Sequence, residues 1–254
     1  MTPHAVVLGS GTSNGVPTPG KAYPAEFLAN PKNHRTRPSI VLCGPGGNVL
    51  VDCGPELRLQ LLREGIGMVD ACIVTHTHAD HIMGMDDLRT FSKRLGRPLP
   101  VYTAPRYQED IRRLFAYAFD EPQPEVWVPR FDLLDVPEVL ELCGLSINTF
   151  WVDHGPVPVL GLRVNGFAYI TDVSNIPAGA MAKLGGLDSL ILDAVRIRPH
   201  PHHFHLERAI EVAQQIGARQ TYFTHLSDDY DHDRTEAELP AGIGLAYDGL
   251  KILL

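Results

Sequence analysis

Apolar residues in this chain come mostly in short runs closed by Gly, Pro, Asp or His. That punctuation predicts strands rather than long helices. Residues 5–8, 39–43, 48–51, 69–74, 99–103, 145–152, 160–164, 167–170, 189–192 and 221–224 read this way. The segment 44–47 (Gly-Pro-Gly-Gly) and Asn165-Gly166 fit hairpin turns, since both offer residues that tolerate positive φ. Helical spacing marks 56–64, with Leu57, Leu61 and Leu62 as its stripe and Gly65 as its stop. It also marks 86–95, a helix opened by Pro105 and carrying Ile111, Leu114, Phe115 and Ala118, a short turn at 181–184, and 206–216 with Leu206, Ala209, Ile210 and Ala213 inward. The last apolar pair, 245–247 and 250–253, reads as a hairpin on Asp248-Gly249. Residues 18–38 hold four prolines with Lys32, Arg35 and Arg37 and little periodicity, so a surface loop is expected. The Pro-punctuated stretch 120–140 offers 126–128 and 131–134 as edge strands. No repeat and no low-complexity linker interrupts the pattern, so residues 1–254 are expected to form one domain.

The strand ends carry the chemistry. After 69–74 comes Thr75-His-Thr-His-Ala-Asp-His81. At a strand end the side-chain period is two, so His76 and His78 point the same way; the turn into a helix brings Asp80 and His81 in from another direction. Imidazole and carboxylate donors at this density suit divalent ions, and the crowding points to two. Asp52, His154, Asp172 and His225 likewise follow apolar runs. Loops at one end of a sheet converge, so these positions can meet in one pocket. The Gly-rich segment 9–17 and the His-rich loop 200–205 are further candidates. The first offers Ser13 and Asn14 to a phosphate; the second brings His200, His202, His203 and His205.

Composition narrows the classes. A 254-residue chain with 44% hydrophobic and 20% charged residues is ordinary globular material. No apolar run is long enough to span a bilayer, and no export signal is evident. Cys43, Cys53, Cys72 and Cys143 form no C-x-x-C pair, so free thiols in the cytoplasm are expected. A net charge of −8 disfavours long nucleic acid and anionic membrane as partners, while leaving room for a small anionic substrate.

Taken in order, Asp52-Cys-Gly54, the H-x-H-x-D-H, Asp153-His154, Thr171-Asp172 and Thr224-His225 resemble the metallo-β-lactamase superfamily. The resemblance implies an α/β (α+β) class αββα sandwich, two mixed sheets flanked by helices, with a two-metal site. His76, His78 and His154 would bind one ion. Asp80, His81 and His225 would bind the other, Asp172 would bridge them, and Asp52 would hold the His loop from behind. Leu8-Gly-Ser-Gly-Thr-Ser-Asn-Gly-Val-Pro17 and the Pro240-Ala-Gly…Asp248-Gly tail are similar to PhnP-type phosphodiesterases, which act on cyclic ribose phosphates. That likeness implies His203, or in second place His205, as an extra active-site histidine. The cysteines that bind a structural zinc in that group are absent from residues 18–38.

The expectation is therefore a metal-dependent phosphodiesterase using two Zn or Mn ions, or Fe. Metal-activated hydroxide would attack phosphorus, Asp80 and Asp172 would orient it, and His203 would protonate the leaving oxygen. Arg196 or Arg198 would grip a terminal phosphate. Rival readings are a cyclic-nucleotide phosphodiesterase, a tRNA 3′-processing endonuclease, a thioester hydrolase and a non-catalytic metal- or nucleotide-binding sensor. No Gly- and Lys-rich arm for tRNA is visible. Relatives of this type often dimerise, so a homodimer fits the resemblance.

Overall fold

The computed structural model describes residues 2–121 and 126–254. Among them are β1 (His4–Gly9), β2 (Ser39–Gly44), β3 (Gly47–Val51), β4 (Ala71–Ile73), β5 (Leu99–Thr103), β6 (Phe131–Asp135) and β7 (Val139–Leu142). They continue with β8 (Leu145–His154), β9 (Val157–Val164), β10 (Phe167–Ile170), β11 (Ser189–Asp193), β12 (Gln220–Thr224), β13 (Ile243–Leu245) and β14 (Lys251–Leu253). Two mixed sheets result, ordered β14-β1-β2-β3-β4-β5-β6 and β13-β12-β11-β10-β9-β8-β7.

The alternation along β1 explains the layering. Ala5 and Val7 face the second sheet, in a core with Ile40, Val49, Ile73, Ile147, Leu160, Leu162, Tyr169 and Ile191. Val6 and Leu8 face outward onto helical residues Leu57, Leu61, Leu88, Phe91 and Ile111. The second sheet does the same, setting Phe150, Ile170, Leu192 and Phe223 against Ala180, Leu184, Ala209, Val212 and Ala213. Strands covered on both faces are apolar throughout rather than alternating, which is why they appear as solid runs. No described helix is long and apolar enough to cross a membrane.

Several expectations change. Leu62 is 65% exposed; the inward stripe of the helix Leu57–Arg63 is Leu57, Gln60 and Leu61. Gln60 belongs there because its amide donates to Thr36 Oγ1 and to the Arg37 carbonyl. In the helix Leu206–Ile216 the buried face is Ala209, Val212 and Ala213, with Leu206 and Ile210 at its margin. Residues 126–128 are irregular, whereas β6 is an edge strand as expected; residues 122–125 of that stretch lie outside the described ones. The last two runs do not form a hairpin. β13 pairs parallel with β12 and β14 antiparallel with β1, so Asp248-Gly249 crosses between sheets. The Asp248 carboxylate drives that crossing: it accepts from Ser10 N and Oγ at 2.9 Å and from Thr36 N and Oγ1 at 2.9 and 2.6 Å.

Residues 18–38 run largely over the surface, as expected, but are not all irregular or all solvated. They contain the helix Ala25–Ala29 and a 3-10 turn, and Arg35 is 1% exposed. All four cysteines are free; Cys53 and Cys72 are buried with their sulfurs 3.4 Å apart.

Candidate metal centre

The strand ends of both sheets meet in one pocket. Asp52, Asp172 and His225 each leave their strand with left-handed backbone, at φ of 62°, 46° and 61°. Asp and His tolerate this region better than branched residues, yet each such residue costs about 1–2 kcal/mol. The turn it produces sends a polar side chain inward where the strand would otherwise continue, so the strain sits where function needs it. The His loop is held close by glycines: a Cβ on Gly84 would lie 2.0 Å from the Gly54 carbonyl, and one on Gly54 would lie 2.8 Å from that of Asp80. No side chain fits in either place.

Donor atoms of His76, His78, His154 and Asp172 lie within 4.8 Å of one another, as do those of Asp80, His81 and His225. Asp172 also groups with His203 and His225. One carboxylate thus reaches both sets: its oxygens are 3.8 Å from His76 Nε2, 3.2 Å from His81 Nε2 and 3.5 Å from His225 Nε2. Most imidazoles are anchored through Nδ1, which leaves Nε2 pointing into the pocket. His81 Nδ1 bonds Asp52 at 2.7 Å, His76 Nδ1 meets Thr75 Oγ1 at 3.1 Å, and His154 Nδ1 donates to the His202 carbonyl at 2.6 Å. Asp52 also accepts from Thr75 N and Oγ1, both at 2.8 Å.

The buried Nε2 atoms of His76 and His81 have no hydrogen-bond partner. Buried polar nitrogens are rarely left so. Two unpartnered imidazole nitrogens aimed at shared carboxylates are what a divalent cation completes, and this donor set of nitrogen and oxygen without thiolate fits zinc, manganese or iron. With the chain's own charges alone, burial presses His81 and His225 toward neutrality. The surrounding carboxylates overcome it, holding His81 well above the usual imidazole range and His225 at about 9. Burial keeps His76 well below that range.

His203 joins the same pocket. Its ring stacks on His225 at 4.9 Å and lies 4.4 Å from His154; Nε2 is 3.9 Å from Asp172. Its Nδ1 bonds Asp193 at 2.8 Å, a carboxylate that also accepts from Val173 N at 2.9 Å. His205 lies elsewhere, as the N-cap residue of Leu206–Ile216. His200 sits behind His203 with ring centres 4.9 Å apart, and His202 packs on Gly155. Ser13 and Asn14 are exposed at the tip of the Gly-rich loop. That loop runs beside His225, with Thr12 N donating to the Leu226 carbonyl at 3.1 Å and Leu226 N to that of Ser10 at 2.9 Å. Arg196 spends its guanidinium on the Arg198 and Pro199 carbonyls of its own loop, and Arg198 is exposed. Asp193 is a pocket residue absent from the sequence candidates, although it closes an apolar run as Asp52 does.

A profile of the beta-lactamase superfamily domain matches residues 47–226. A solved diphosphatase of the PhnP family is 39% identical, with a TM-score of 0.91 over 99% of this chain and 98% of that one. An octanoyltransferase of Porphyromonas gingivalis is 34% identical across 98% of this chain, which spans only 51% of that protein. A ribonuclease Z of a Mycobacterium species is 27% identical over 77% of this chain and 79% of its own length. The pocket, the paired seven-stranded sheets and these likenesses agree: the chain belongs to the metallo-β-lactamase superfamily of metal-dependent hydrolases.

Proposed function

We propose that the chain hydrolyses a small cyclic phosphodiester of the ribose-phosphate class with two divalent ions. When bound, such ions neutralise phosphoryl oxygens and acidify water. His76, His78 and His154 would hold one, Asp80, His81 and His225 the other, and Asp172 would face both. Asp80, whose Oδ2 lies 3.4 Å from His225 Nε2 and 3.5 Å from His81 Nε2, would orient the attacking water. His203 donates the proton to the leaving oxygen from Nε2, because Nδ1 is committed to Asp193 and the pair keeps the ring aimed inward. Ser13 and Asn14 at the loop tip offer polar contacts to the sugar phosphate. The observation carrying this reading is the His203–Asp193 pair set against both donor clusters: a general acid is useful where the leaving group is a poor alkoxide.

A second reading, cleavage of a diphosphate bond, is favoured by the PhnP-family diphosphatase likeness. Both are tested by turnover after reconstitution with Mn(II) or Zn(II). The panel holds a ribose 1,2-cyclic phosphate, 2′,3′- and 3′,5′-cyclic nucleotides, a diphosphate diester, a pre-tRNA and acyl thioesters of glutathione and octanoate. Metal-dependent cleavage confined to cyclic diesters supports the first reading, and cleavage of the diphosphate alone supports the second. Turnover only of pre-tRNA or a thioester overturns both, and ions bound without any turnover would make the chain a sensor.

A further inference from the structure

We propose that Arg35 is a positioning residue for His225, acting through the main chain that follows it. Arg35 lies in the Pro-rich stretch between β1 and β2, yet its guanidinium is buried. It donates to the Ser227 carbonyl at 3.3 Å, the Tyr230 carbonyl at 3.0 Å and Asn33 Oδ1 at 3.3 Å. No carboxylate pairs with it among the described residues. Burial pulls its pKa down to about 10, which leaves it charged at neutral pH. A buried cation held only by neutral oxygens, with its Nε unpartnered, is costly to keep, so what the fold gains from it is its reach: Nη1 bridges the Ser227 and Tyr230 carbonyls while Nη2 reaches Asn33.

The backbone of Arg35 does a second job. Its N–H and carbonyl pair with Val16, both at 2.8 Å, and the Gly-rich loop packs on it so tightly that a Cβ on Gly11 would lie 2.7 Å from the Arg35 carbonyl. That loop in turn bridges to Leu226. The segment after His225 is therefore gripped from three sides. Ser10 and Thr12 hold Leu226, Val195 accepts from Ser227 N at 2.9 Å, and Arg35 holds the Ser227 and Tyr230 carbonyls. Left-handed His225 cannot keep its conformation by preference, so neighbours must impose it, and its Nδ1 makes no hydrogen bond that would steer the ring. Asn33 extends the clamp, accepting from His232 N at 2.8 Å and donating to Asp231 at 3.1 Å.

This inference rests on the two-ion reading above. The test is calorimetric titration of metal-free protein with Mn(II) alone, for wild type, Arg35→Met and Arg35→Lys, with thermal unfolding and kcat and KM measured beside it. Arg35→Met is expected to take up the first ion normally, to bind the second about tenfold or more weakly, and to lose kcat with KM little changed. Arg35→Lys, which keeps the charge but ends one bond short of Nη1 and has no second nitrogen for Asn33, should fall between. A lowered Tm with both affinities unchanged would make Arg35 a stability residue only and overturn the proposal. Should Arg35→Met fail to fold, Arg35→Lys decides: wild-type uptake of both ions overturns it, selective weakening of the second supports it. A wild type that itself takes up one ion would instead overturn the two-ion reading, and this inference with it.

Discussion

Replacing Asp52 by Asn probes how the pocket is held from behind. The carboxylate receives three hydrogen bonds at 2.7–2.8 Å, from Thr75 N, Thr75 Oγ1 and His81 Nδ1. Asn tolerates the left-handed backbone at this position, so the change leaves the turn unstrained. One amide oxygen still accepts from Thr75 N, and the Thr75 hydroxyl can rotate. His81 Nδ1–H then faces an NH2 group. Leaving that buried donor unpaired costs about 1–3 kcal/mol; a chain of this length should lose about 2–12 °C in Tm. The alternative is for His81 to move its proton to Nε2, which occupies the nitrogen aimed at Asp172. Either route weakens the ion of the Asp80, His81 and His225 set by about 10–100-fold. The His76, His78 and His154 set, whose anchors are Thr75 and a backbone carbonyl, should change little. Differential scanning fluorimetry with and without metal, alongside Mn(II) titration, reads both effects. Equal weakening of the two ions, or none, would refute the claim that Asp52 acts through His81.

His203→Ala should retain both ions and lose about 10²–10⁴ in kcat on a cyclic ribose phosphate, with far less loss on a nitrophenyl ester whose leaving group needs no proton. Asp193→Asn should act in the same direction but more weakly, because the His203 ring remains and only its orientation is freed; steady-state kinetics on the two substrates gives the ratio. Asp248→Ala strands Ser10 and Thr36 donors in a buried place and should cost about 2–4 kcal/mol in urea unfolding, with KM rising as the Gly-rich loop loosens. Adding a chelator should lower Tm and restoring Mn(II) should recover it, since ions at about a thousand times Kd stabilise by about 4 kcal/mol.

Much of this architecture is legible because it is local. The central strands of both sheets are apolar on two faces, and the strand-end positions of Asp52, His154, Asp172 and His225 follow from where the apolar runs stop. The errors share one cause: a local pattern that two long-range arrangements satisfy equally. Apolar residues either side of Asp248-Gly249 fit a hairpin as well as a crossing between sheets, and only the Ser10 and Thr36 partners, far away in sequence, decide it. Leu62 fits the same helical stripe as Leu61 until the layer packed on that helix is known. Arg35 has no periodic neighbours, and two of its three partners are backbone carbonyls, which leave no trace in a sequence. Which of His203 and His205 enters the pocket is set by contacts distant in sequence: His203 Nδ1 bonds Asp193, while His205 is the N-cap residue of Leu206–Ile216.

The central claim is that two ions sit together at these strand ends. Anomalous diffraction from crystals grown with Mn(II), collected on both sides of the manganese edge, tests it most directly. The account predicts two peaks about 3.5–4 Å apart, one ringed by His76, His78 and His154, the other by Asp80, His81 and His225, with Asp172 between them. A single peak, or peaks bound by other residues, would contradict it.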